Sequence, residues 1–184
     1  MKTSPPEIFE DVERATSRKE KIRLLQTYRS SVLIGLLQLN YNPAFKMDLP
    51  EGMPPYKRDV KVPRGYSETN LYAEFRRMYV WMDPKVNLTK ERKEQLFIQL
   101  LEGIHFSEAD VLCLAKDKKL QTEYKSVTED LVREAFPDIL PAKDPEPIIE
   151  QIEKVVEKVT KPKKAKASLK GSPVTSNEPT PNLS

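Results

Sequence analysis

Apolar residues along the first 140 positions recur at helical spacing, in short runs each preceded by a residue able to cap a helix. Ser4, with Glu7 three residues on, fits the S-x-x-E capping box, in which the hydroxyl accepts from the N3 amide and the carboxylate reaches back to the cap. It predicts a helix from about Pro6 to Ala15 with Ile8 and Val12 on one face. Ser17 and Glu20 repeat the pattern ahead of Ile22, Leu25 and Tyr28. Ser30 heads VLIGLLQL, where Val32 to Leu39 is apolar at nearly every position. By periodicity a run this short fits a buried helix or a central strand. Its leucines favour the helix, with Gly35 the one weak point inside it.

Further along, Ser67 or Thr69 caps LYAEFRRMYVWM, whose Leu71, Phe75, Met78 and Met82 form a helical stripe, widened by Tyr72, Tyr79 and Trp81, that stops at Asp83 before Pro84. Asn87 or Thr89 opens a helix with Leu96, Phe97, Leu100, Leu101 and Ile104 inward, ending near Gly103. Ser107 with Asp110 resembles another capping box, ahead of Val111, Leu112 and Leu114 and running to about Leu120. Ser126 with Glu129 opens the last helix, with Leu131, Val132, Ala135 and Phe136 inward and Pro137 at its end. No strand alternation of convincing length appears. The pattern predicts an all-α domain over residues 1–140, a bundle of about seven short helices, long enough to bury roughly two thirds of its unfolded surface.

From Asn40 to Gly65 the periodicity dissolves. Pro43, Pro50, Pro54, Pro55 and Pro63 fix φ and remove backbone donors at short intervals. Tyr41, Phe45, Met47, Leu49, Met53, Tyr56 and Tyr66 are too many apolar and aromatic side chains for a disordered linker, so the segment reads as an ordered wrap lying across the helices. After the body, residues 141–147 form a Pro-rich linker. In 148–160, Ile148, Ile152, Val155 and Val159 are spaced 4, 3, 4, the seam of a coiled coil. A lone helix of about thirteen residues is marginal in water, so this seam is a candidate partner-binding face. Residues 161–184 have almost nothing to bury and read as a disordered Lys-rich tail.

Charge sharpens that division. The net charge is +3 over 184 residues, yet Lys161, Lys163, Lys164, Lys166 and Lys170 face only Glu178 in the tail, which leaves residues 1–160 at −1. Lysines spaced by Ala, Pro and Ser resemble arms that bind nucleic acid without sequence preference; a merely solubilising tail is the plainer alternative. In the wrap, YKRDVKVPRGY sets Lys57, Arg58, Lys61 and Arg64 between Tyr56 and Tyr66, with Arg76 and Arg77 on the following helix. Cations interleaved with rings suit a single strand of nucleic acid, although a solvated loop anchored by its tyrosines is the favoured reading.

Catalytic signatures are sparse. The one Cys, Cys113, excludes an internal disulfide and multi-cysteine zinc, and with the one His, His105, it reads as structural. The carboxylates Glu91, Glu94, Glu102, Glu108, Asp110, Asp117, Glu129, Asp130 and Glu134 mostly alternate with Lys and Arg on solvent faces. No phosphate-cradling glycine loop and no H-E-x-x-H is present. The expectation is a non-enzymatic protein without cofactor or metal. The longest wholly apolar run, Val32 to Leu37, is far short of the ~20 residues of a membrane span, and MKTSPPE is no signal peptide.

Taken together, LPEGMPPYK (Leu49 to Lys57), LYAEFRRMYVW (Leu71 to Trp81), RKEQLFIQLLEGIH (Arg92 to His105), EADVLCLAKDKKL (Glu108 to Leu120) and LVREAFPDIL (Leu131 to Leu140) resemble a family of small uncharacterised proteins encoded by large contractile-tailed bacteriophages, including those infecting cyanobacteria. The resemblance covers about residues 7 to 140. It carries over no functional residue, but it implies a phage protein made in the bacterial host cytoplasm. The resulting expectation is an accessory protein that binds a phage or host protein of the replication, recombination or transcription machinery, RNA polymerase included, with a basic tail offered to nucleic acid. The alternative is a virion component, a minor head, neck or tail protein.

Overall fold

Short polar side chains start the helices, as their spacing predicts, though not always the ones nearest to hand. In a computed structural model, in which residues 3–141 are described, all regular structure is helical. The helices are α1 (Pro5–Arg14), α2 (Arg18–Thr27), α3 (Ser31–Tyr41), α4 (Leu71–Glu74), α5 (Tyr79–Met82), α6 (Lys90–Gly103), α7 (Phe106–Lys116), α8 (Leu120–Glu123) and α9 (Glu129–Ala135), with a 3₁₀ turn, Phe75–Met78, joining α4 to α5. The chain divides into two units, Met1–Ala142 and Lys143–Ser184. The linker beyond Pro141, the seam Ile148, Ile152, Val155 and Val159, and the tail lysines Lys161, Lys163, Lys164, Lys166 and Lys170 all lie outside the described residues.

At α1 the Glu7 carboxylate accepts both the Ser4 backbone N–H, at 2.8 Å, and the Ser4 hydroxyl, at 2.7 Å. Ser17 and Ser30 accept from the Glu20 and Leu33 amides, and Thr89 accepts from Arg92. Three starts differ from expectation. α4 is capped by Asn70, whose side chain takes the Ala73 N–H at 3.0 Å, while Ser67 and Thr69 turn to the Thr69 carbonyl and the Glu74 carboxylate. α7 begins two residues early, capped by His105 rather than Ser107, because Asp110 is drawn away to Arg58. α9 is capped by Thr128, because Ser126 gives its N–H and hydroxyl to Glu13 of α1.

The stripe over Leu71 to Met82 also shifts. Each residue of the 3₁₀ turn advances about 120° around the axis instead of 100°, so Trp81 rather than Met82 turns fully inward behind Leu71 and Met78. Its ring meets Phe97 edge-on, with centroids 5.6 Å apart, and its indole N–H donates to the Lys93 carbonyl at 2.8 Å.

α7 ends in a Schellman turn, with the Lys118 and Lys119 amides on the Ala115 and Leu114 carbonyls at 3.2 and 2.8 Å. The left-handed position is held by Lys118 (φ 59°), not glycine. A compensation is visible: the Lys118 ammonium donates to the Leu39 and Asn42 carbonyls at the end of α3, at 3.1 and 2.9 Å, and to the Phe45 carbonyl just beyond it, at 3.3 Å. A cation there also suits the negative end of the helix dipole. Asn40 completes the junction by accepting the Leu120 N–H at 3.0 Å.

α3 packs along α7, α1 bridges α2 and α7, and α9 lies on α2. The core between them is made by residues such as Ile8, Phe9, Leu33, Leu36, Leu37, Val111 and Leu112, all fully buried. No helix among the described residues is long and apolar enough to cross a membrane.

Candidate functional site

The proline-rich segment after α3 is an ordered wrap, and the bonds that order it also shape two clefts. Its near end is tied down by the Asp48 N–H on the Trp81 carbonyl (2.8 Å) and by Lys93 on the Asp48 carboxylate (2.7 Å). Its middle is held by the Lys116 ammonium on the Pro50 carbonyl (2.7 Å), the Gly52 N–H on Asp117 (2.9 Å) and the Lys57 N–H on Glu102 (3.0 Å). Its far end turns over Pro63–Tyr66, where the Tyr66 N–H reaches the Pro63 carbonyl at 3.1 Å. Gly65, at φ 84°, takes the left-handed position that a type II turn reserves for glycine.

That turn returns Arg64 to α1, where it pairs with Glu10 and lies 3.8 Å from Glu7. Arg58 pairs with Asp110 of α7 and lies 5.1 Å over the Phe106 ring. The four wrap cations therefore separate. Arg58 and Arg64 are neutralised staples, whereas no ion pair engages Lys57 or Lys61 among the described residues. The structure thus does not assemble Lys57, Arg58, Lys61 and Arg64 into one continuous row of unpaired charge.

The larger cleft, about 970 Å³, lies between α1, the returning turn and the starts of α4 and α7. Such a volume is at the upper end of what ligand sites occupy. Four acids line it, Glu7, Glu10, Asp11 and Glu108, against two bases, Arg14 and Arg64. Arg14 sits 3.5 Å from Glu10 and 3.3 Å from Asp11. Tyr28, Tyr72, Ser107 and His105 supply further polar edges. The smaller cleft, about 390 Å³, lies on the other side of the wrap, between Tyr56, Val62 and Tyr66 and the end of α6, and shares Ser67 and His105 with the first. Tyr66 is 81% exposed and Val60 63% exposed, both on the wrap.

Glu108 is the side chain in this region that sequence reasoning misplaced. Assigned to a solvent face, it is only 4% exposed, and its carboxylate accepts the Leu71 N–H at the start of α4 at 2.9 Å. Burial pushes its carboxyl above the ordinary range; the Leu71 bond pulls the other way and nearby Glu7 adds to the rise. Glu7 is held below its ordinary range, chiefly by the Ser4 hydroxyl. The i, i+3 relation of Glu108 to His105 was the one available signal, since it marks an N3 acid once His105 is known to be the cap.

A pH-dependent consequence follows. Below the ordinary carboxylate value of 4.5, Glu108 is protonated in both folded and unfolded chains. As pH rises above it, the unfolded chain ionises first and stability is lost until the folded-state value is passed. Glu108→Gln cannot ionise, so its urea midpoint is expected to gain on wild type between pH 4 and pH 7. An unchanged difference at the two pH values would show that the buried carboxyl carries no such penalty.

The remaining reactive-looking groups have structural employment. His105 Nδ1 accepts the Ser107 N–H at 3.2 Å, which leaves Nε2–H to donate to the Val62 carbonyl at 3.1 Å and so fasten the wrap. Cys113 is 3% exposed, and burial pushes its thiol up to about 12, far from thiolate chemistry. The Tyr72 hydroxyl donates to the Thr3 carbonyl at 2.8 Å. Among the described residues no group of three or more His, Cys, Asp or Glu side chains is placed to hold a metal ion.

The fold and its clefts define a small all-α domain bound by a proline-rich wrap. The pattern of a family of unknown function (DUF6433) matches residues 8–122, from α1 through the wrap to α8, and the chain belongs to that family. No curated protein and no solved structure matches the chain.

Proposed function

We propose that this chain is a non-enzymatic accessory protein of a bacteriophage, made in the cytoplasm of its bacterial host, that captures a protein partner of the replication, recombination or transcription machinery. The observation that carries this reading is the larger cleft, where four acids meet two bases over about 970 Å³. Arg64 and Arg14 are already shared among Glu7, Glu10 and Asp11, so the surplus is negative and suits a Lys- or Arg-bearing segment of another protein. Complementary charge of this kind steers encounter and selects the partner more than it adds raw affinity. The structural roles of His105, Cys113 and Glu108 support a binding rather than a catalytic reading. The phage setting rests on the resemblance of the sequence segments.

The test is affinity capture of the tagged full chain from phage-infected cells, with replication proteins and RNA polymerase quantified by mass spectrometry. Wild type is expected to enrich a defined partner. Combining Asp11→Lys with Glu10→Gln, at positions that line the cleft and not the core, is expected to lower its recovery at least tenfold while the circular dichroism spectrum is unchanged. Equal recovery by both proteins, or many copies of the chain in purified virions, would refute the reading.

A further inference from the structure

A different end of the domain carries the opposite charge. Between Arg76 and Lys93 the chain holds six cations and two acids, although residues 1–160 as a whole are slightly acidic. Tertiary structure gathers this segment around Trp81. The Trp81 carbonyl takes the Asp48 N–H and its indole donates to the Lys93 carbonyl, so the start of the wrap, α5 and the start of α6 meet at one residue. Lys46 arrives with the wrap, and Lys90 with α6. The carboxyl of Asp48 registers the convergence: it is held below the ordinary range by Lys93 first, with Lys90 and Lys46 contributing.

Glu91 stands in the first turn of α6, where the helix dipole favours an acid. Three other acids at this end are engaged, while Glu94 is in no ion pair among the described residues. Asp48 is bonded to Lys93 at 2.7 Å, Glu74 to Arg77 at 2.9 Å, and Asp83 takes the Lys85 N–H at 2.9 Å. Among the described residues no ion pair engages Arg76, Lys85, Lys90 or Lys46, and all four are exposed. Beside Arg76 stands an unburied ring: Tyr79 is 60% exposed, one helical turn further on and on the far side of the helix from Trp81. Residues three apart on a helix are neighbours, about 5–6 Å between Cβ atoms.

We propose that this surface binds single-stranded nucleic acid, with Arg76, Lys85, Lys90 and Lys46 following phosphates and Tyr79 stacking against a base. Unpaired cations beside an accessible ring are the two components of such sites, and neither reads base sequence. A lipid surface is the competing anionic partner, but it would be met by apolar side chains projecting together, and here only Leu88, at 38%, joins Tyr79 among the exposed large apolar residues of the segment. The surface shares no residue with the acidic cleft, with the wrap cations Lys57, Arg58, Lys61 and Arg64 or with the tail lysines.

The test is fluorescence anisotropy of labelled oligo(dT) with the full chain across a salt series. Arg76→Glu, Lys85→Glu and Lys90→Glu combined are expected to weaken binding at least tenfold. They should also flatten the log K against log salt slope by about 2, at roughly 0.7 for each phosphate of a single strand that is no longer neutralised. Tyr79→Ala is expected to lose about tenfold and Tyr79→Phe to bind like wild type, since stacking uses the ring and not the hydroxyl. A full chain with its five tail lysines changed to Gln should retain the Tyr79 dependence. The proposal is overturned if the triple variant binds with an unchanged slope, if neutralising the tail removes all binding, or if phosphatidylserine vesicles are bound through these residues while oligo(dT) is not.

Discussion

Replacing Trp81 with Ala is expected to lower the unfolding free energy by about 3–5 kcal/mol, the range for truncating a fully buried large aromatic. The side chain is 1% exposed and packs edge-on against Phe97. Its loss also leaves the buried Lys93 carbonyl without the indole donor, a cost of the order of 1–3 kcal/mol that overlaps the first figure. Small domains are stable by only about 5–15 kcal/mol, so the variant should stand near its unfolding threshold at room temperature. Because the chain contains one tryptophan, urea unfolding must be followed by circular dichroism and not by indole fluorescence. Trp81→Phe should retain more of the packing but not the hydrogen bond. A loss under about 1 kcal/mol for Trp81→Ala would mean that the wrap and the α5–α6 junction do not depend on this residue.

The second large effect lies at Gly35, where propensity and packing give opposite signs. In an open helix, Ala in place of Gly stabilises by about 0.8–1 kcal/mol. Here a Cβ would stand 2.0 Å from Cζ and 2.6 Å from Cε1 of Phe75, so the ring must move. Overpacking of this kind costs about 1–3 kcal/mol, and Gly35→Ala is expected to destabilise on balance. In a Phe75→Ala background the obstacle is gone, and the same change should stabilise by nearly its full propensity value. Urea denaturation of the four proteins forms a double-mutant cycle with an expected coupling of about 2 kcal/mol. Additive effects would show that the packing between α3 and the 3₁₀ turn is looser than its geometry indicates.

Gly35 illustrates the limit of what is legible in the chain. Its position inside an apolar helix is plain, and its cost is plain; its purpose is not, because Phe75 lies 40 positions away. Spacing identifies the helix starts where the cap has no rival, as at Ser4, Ser17 and Ser30, and narrows the start of α6 to Asn87 or Thr89, of which Thr89 is the cap. It misleads at Ser107 and Ser126, where a distant partner claims the capping side chain or its presumed N3 acid. Aromatic content reveals the wrap but not its two clefts, since they arise from where Arg64, His105 and Val62 come to rest on other elements.

By itself the amino-acid order determined the helical class, the approximate extent of each long helix, the ordered character of the proline-rich wrap and the absence of local catalytic motifs. These depend on capping, periodicity and backbone restriction, all of which act within a few residues. Tertiary structure alone decided that Arg58 and Arg64 are staples rather than free charges, that Glu108 is buried beneath Leu71, and that cations of the wrap and of α6 converge on Asp48 beside Trp81. Those outcomes rest on charge pairing and burial between residues brought together across tens of positions, and spacing along the chain carries no record of such distances.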